Sequence, residues 1–123
     1  MRELQLAKGA ISAGASVLLE RAGVEAEAVS QVLLAGAFGS KIDPVSAVAV
    51  GLLPPGTHAS RVRTVGNAAA AGAAAALVSR EAREESERMA ARLEPVELSA
   101  DPEFQMRFAE SMMFPEPGEA EDA

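Results

Sequence analysis

Apolar positions at Leu4, Ala7, Ile11, Gly14 and Leu18 recur every three or four residues, which predicts a helix over Glu3–Ala22 with that stripe buried. Gly23 stands where a left-handed helix cap is wanted. After a short acidic linker the period changes. Gln31–Ala35 is a continuous apolar run of strand length, and a strand apolar on both faces belongs in a parallel sheet covered on both sides. Gly36-Ala-Phe-Gly39 then reads as a flexible turn. Asp43-Pro44 has the form of an N-cap followed by proline at the first helical position, opening a short helix to about Gly51.

A Pro/Gly loop, Leu53–Ala59, leads to a second predicted strand, Arg61–Val65, which ends in Gly66-Asn67. Asn67 caps an Ala-rich helix over Ala68–Val78. Ser79 caps another over Arg80–Leu93, with Ala82, Ser86, Met89 and Leu93 on one side and a Glu84–Arg88 pair on the other. Pro95–Leu98 predicts a short third strand. Asp101-Pro102 repeats the cap-and-proline signature before a last helix, which carries Phe104, Phe108 and Met112 on one face and stops at Pro115. Strands alternating with helices predict an α/β fold with a parallel sheet. Both glycine turns, Gly36 and Gly66, would then lie at the carboxyl edge of that sheet, where open α/β sheets bind ligands.

Composition narrows the chemistry. At 123 residues, 49% hydrophobic and 24% charged, the chain has the balance of one folded domain, read as residues 1–114. Residues 115–123 form an acidic tail, Glu116, Glu119, Glu121 and Asp122 without a base, expected to be disordered. A net charge of −7 with no basic stripe excludes nucleic acid as a partner. The absence of cysteine excludes disulfides and thiolate-held metals. With no signal sequence and no apolar run of membrane-spanning length, the expectation is a cytoplasmic protein that does not enter a membrane.

The candidate ligand-contacting residues are Leu34, Ala35, Gly36, Ala37, Phe38 and Gly39, together with Gly66 and Asn67. A turn without side-chain bulk lets a flat purine or ribose approach the main chain. The start of the Ala-rich helix offers unpaired N–H groups suited to phosphate. Both strings also suit plain strand-to-helix turns. The low bulk of Ala68–Leu77 suits either a neighbouring domain that slides close or close packing of helix on sheet. His58, the one histidine, sits in the Pro/Gly loop and reads as an exposed loop residue, and no catalytic residue is assigned.

Five ordered strings carry a resemblance: Leu4-Gln-Leu-Ala-Lys-Gly-Ala-Ile11; Val32-Leu-Leu-Ala-Gly-Ala-Phe-Gly39 with Ile42-Asp-Pro44; Gly51-Leu-Leu-Pro54; Val65-Gly-Asn-Ala-Ala69; and Phe114-Pro115. In order and spacing the chain resembles the C-terminal region of the reductive activators of corrinoid proteins. The resemblance implies a ribonuclease-H-like subdomain of the actin and sugar-kinase type, incomplete by itself. In full-length members ATP with Mg drives reduction of a cobalt(II) corrinoid protein to cobalt(I), and an N-terminal ferredoxin-like domain holds an iron–sulfur cluster. It also implies that Leu34–Gly39 contacts the adenosine.

Two departures stand out. The adenosine turn of that superfamily often has adjacent glycines, whereas here Gly36-Ala37 is followed by Gly39. The phosphate hairpin and its acidic residue have no counterpart. The chain alone is therefore expected to be inactive, with the N-terminal remainder of the ATPase and a corrinoid protein as partners. An ATP-driven activator of an acyl-CoA dehydratase or reductase, and a non-catalytic docking or homodimerising module, are the alternative readings.

Overall fold

The computed structural model describes residues 2–39 and 41–115, the side chain of Phe38 excepted. The chain opens on helix α1 (Arg2–Ala22), a 3-10 turn (Ala26–Ala28) and strand β1 (Val32–Ala35). One helical turn, α2 (Gly36–Gly39), and a short helix, α3 (Pro44–Ala49), follow. A second 3-10 turn (Ala59–Arg61) leads into strand β2 (Val62–Gly66), then helices α4 (Ala68–Val78), α5 (Arg80–Ala90) and α6 (Pro102–Ser111). The predicted tail lies outside the described residues after Pro115.

β1 and β2 pair in parallel, Val32 with Val62, Leu33 with Arg63, Leu34 with Thr64 and Ala35 with Gly66, the last step shifted by an irregularity after Leu34. The core is small. Ala47, Leu52, Leu53 and Val62 are buried together, and Val32, Leu34, Ile42, Val48 and Val50 pack around them. Arg61 ties the two strand entries together by donating to the carbonyls of Glu27 and Val29, the latter at 3.1 Å. Asp43 accepts from Ser46 N at 2.8 Å and Ser46 Oγ at 2.9 Å, so α3 starts where the cap-and-proline signature placed it.

The parallel α/β expectation holds with two strands rather than three among the described residues. Pro95–Leu98 forms no ladder. Pro95 has no N–H to donate, and Leu98 instead packs where a β-carbon on Gly14 of α1 would stand 3.4 Å away. Glu97 turns the chain by accepting from Ser99 N and Oγ at 2.9 and 2.5 Å. α5 ends at Ala90 rather than Leu93. Arg88 pairs with Glu85 rather than with Glu84.

β1 is covered on one face only: Val32 and Leu34 are half-buried, while Leu33 is 55% exposed. Among the described residues the expected cover is absent because α4 packs with α5 as a helical hairpin and buries none of its own residues. Arg83 holds that hairpin by donating from Nε and Nη2 to Ala76 O at 3.2 and 3.1 Å.

α1 also turns a different face inward from the one its large residues predict. Lys8, Gly9, Ser12, Ala13, Gly14 and Val17 are buried, whereas Leu4, Ile11 and Leu18 are exposed. The reason is α6. A β-carbon on Gly9 would stand 3.2 Å from Met112 Cγ and 3.3 Å from Phe108 O, so the two helices meet at a distance only small residues allow. Phe104, Phe108 and Met112 do face this contact, with the two rings stacked at 5.9 Å. Arg107 reaches Glu20 and Glu103, and Arg21 reaches Asp101, clamping the rims.

Candidate functional site

The strand register places the two glycine turns side by side. Ala35 pairs with Gly66, so the chain leaves β1 through Gly36 beside the point where it leaves β2 through Gly66. Gly36 has φ +86° and Gly66 φ +63°, a left-handed conformation that a side chain resists. A β-carbon at either would meet nothing within 4 Å, so the space beside both turns is open. Gly39 differs: its β-carbon would stand 3.0 Å from Leu34 C and 3.2 Å from Leu34 O. It is glycine because α2 folds back directly onto the end of β1. What reads as a flexible turn in the sequence is one ordered helical turn.

The remaining candidates take distinct places. Leu34 is half-buried against the core and offers the edge its backbone, while Ala35 and Ala37 are exposed. Phe38 contributes backbone to α2. Asn67 caps α4, its Oδ1 accepting from Ala70 N at 3.0 Å, and so fixes the N-terminus of that helix next to Gly66. His58 is half-buried at the start of the second 3-10 turn, and among the described residues no three metal-ligating side chains converge. No helix of the described residues is long and apolar enough to cross a membrane.

A second constellation escaped the sequence reading. Lys8 is 1% exposed, with its ammonium donating to Met113 O and lying 4.8 Å from the centre of the Phe114 ring. Burial pushes this ammonium below the ordinary lysine range. Gly51 crowds the same point: its β-carbon would stand 3.4 Å from Lys8 Nζ and 3.1 Å from Pro115 Cγ. Three of the five strings, those holding Lys8-Gly9, Gly51–Pro54 and Phe114-Pro115, thus converge around a cavity of about 400 Å³. None of the Leu34–Gly39, Gly66 or Asn67 residues lines it. The available signal was a lysine one turn after Leu4, on a helix whose buried side is built of small residues.

A family model described as the C-terminal domain of RACo, the ASKHA domain, matches residues 1–121. The corrinoid activation enzyme RamQ of Eubacterium limosum is 35% identical to this chain over 114 residues, which make up 93% of the chain and 19% of RamQ. The chain therefore spans about a fifth of the length of that curated relative. The matched stretch covers all five strings quoted above, and the chain belongs to the family of RACo C-terminal domains, of the actin- and sugar-kinase-like ASKHA class.

Proposed function

We propose that this chain supplies the adenosine-side wall of an ATP cleft in a reductive activator that returns cobalt(II) corrinoid proteins to cobalt(I). The observation that carries the reading is the pair of left-handed glycines, Gly36 and Gly66, adjacent at the carboxyl edge of the parallel strands with open space beside both. A flat nucleoside fits such a place, since main chain rather than side chains meets it. In this reading the backbone of Leu34–Gly39 lies along the base and ribose, and Asn67 keeps the N-terminal amides of α4 aimed at phosphate oxygens. ATP hydrolysis would supply the free energy for an uphill electron transfer.

The chain offers no thiolate for an iron–sulfur cluster, because it has no cysteine. The cluster, the groups that hold Mg and the water-activating side of the cleft therefore belong, in this proposal, to the N-terminal remainder, as do contacts to the corrinoid protein. Likeness to a corrinoid activation enzyme favours this reading over an activator of acyl-CoA dehydratases. The proposed setting is the cytoplasm.

The test is reconstitution. The intact protein, its corrinoid partner, a reductant and ATP should convert the cobalt(II) spectrum to that of cobalt(I). Truncation ahead of Arg2 should abolish both this and ATP binding. Cobalt(I) formation at the full rate without this segment would contradict the proposal, as would ATP binding that survives its removal.

A further inference from the structure

The cavity at Lys8 is separate from the strand edge and has its own chemistry. An ammonium has three N–H donors and a full charge. Here it is 1% exposed, and among the described residues it has one carbonyl acceptor, Met113 O, one ring face, Phe114, and no paired carboxylate. A buried cation in such surroundings is stabilised by an anion brought to it. Lys8 borders the cavity, as do Ser16 and Ser111, while Leu53 and Pro54 supply an apolar wall.

We propose that this cavity binds a small organic monocarboxylate, with the Lys8 ammonium as its counter-ion and the Leu53–Pro54 wall receiving its apolar body. The charge count selects a singly charged anion. The other cation on the cavity wall, Arg107, is already engaged by Glu20 and Glu103, and Glu110 also lines the cavity. Among the described residues Lys8 is then the cavity cation without a paired carboxylate, and the Glu110 charge, which also acts on Arg107, disfavours a dianionic phosphate more than a single carboxylate. The volume of about 400 Å³ lies within the range of ligand pockets, roughly 300–1,000 Å³, and exceeds what a bare carboxylate fills.

Calorimetric titration of the intact protein with hexanoate, hexanamide and inorganic phosphate at constant ionic strength tests this. Hexanoate should bind, shifting the backbone amide resonances of Gly51 and Met113. Hexanamide should bind at least about tenfold more weakly, since it lacks the charge that Lys8 recognises. Lys8→Met keeps the apolar stem and should lose hexanoate affinity by at least about the same tenfold factor. Arg92→Met, a change of exposed charge on another part of the chain, should leave it unchanged. Ser111→Phe adds bulk at another residue of the cavity lining and should weaken hexanoate with Lys8 intact, so the test stands even if Lys8→Met fails to fold. Absence of hexanoate binding, equal affinity for hexanamide, undiminished binding by Lys8→Met, or phosphate binding tighter than hexanoate would each overturn the proposal.

Discussion

A β-carbon placed on Gly39 would press on Leu34 main chain at 3.0 Å, whereas one on Gly36 or Gly66 would meet nothing within 4 Å. Glycines close together in one turn therefore fail for different reasons when replaced. Gly39→Ala should destabilise the fold by about 1–3 kcal/mol, because backbone cannot move aside as a side chain can. Urea denaturation measures this, and a midpoint equal to wild type would contradict the packing described. That Gly36 and Gly66 stand side by side at the carboxyl edge of the two strands was legible in the sequence, because each glycine closes a run of strand length in an alternating α/β order. Lys8 was not: a single lysine on a helix reads as exposed, and its burial comes from Met113, Phe114 and Gly51, all remote in the chain.

At the level of elements, the caps decide where helices begin, and they also set an acid sensitivity. Bonds from Ser46 N and Oγ hold the Asp43 carboxyl below its ordinary range. Burial raises that of Asp101, but the N–H groups of Glu103 and Phe104 and the Arg21 guanidinium outweigh it, leaving it lowered. A carboxyl with a depressed folded-state pKa contributes stability above its unfolded value, near 3.8, and loses it as pH falls through the folded value. Stability measured by chemical denaturation should therefore fall below about pH 4, and Asp43→Asn with Asp101→Asn should flatten that fall. An unchanged acid limb would count against these caps.

Helix and strand positions were largely legible because the caps and the change of period are local signals. The fate of Pro95–Leu98 and the buried stripe of α1 were not, since Leu98 is placed by Gly14 of α1 and the face of α1 by how closely α6 approaches Gly9. α4 shows the same limit. Its Ala-rich string suits close packing, yet among the described residues the helix packs chiefly on α5 and none of its own residues is buried. Gly72 in its interior has nothing within 4 Å of an added β-carbon. Gly72→Ala should raise stability by about 0.5–1 kcal/mol. A loss of stability would reveal a contact on that face absent from this structure.

Across the whole molecule, large apolar side chains stand uncovered on several elements: Leu4, Ile11 and Leu18 on α1, Leu33 on β1, and Leu77 and Val78, at 78% and 84% exposure, on α4. With six buried hydrophobic residues among the described ones, four of them in one cluster, little apolar area opposes unfolding. The 123-residue chain alone should therefore self-associate on size-exclusion chromatography, or melt below the mesophile range of about 45–65 °C. A monomer with a cooperative transition inside that range would show that these faces need no cover.

The central claim is that the Gly36 turn meets the nucleoside, and calorimetric titration of ATP into the intact protein and its Gly36→Val variant tests it most directly. The turn has room for the new side chain within this chain, and the left-handed φ of +86° costs about 1–2 kcal/mol of strain. The variant should therefore fold, as circular dichroism would report. The added isopropyl group would stand where the nucleoside is proposed to lie, and ATP affinity should fall more than tenfold, a loss of more than about 1.4 kcal/mol. Unchanged ATP affinity in a folded Gly36→Val protein would mean that the turn serves the backbone alone and would contradict the account.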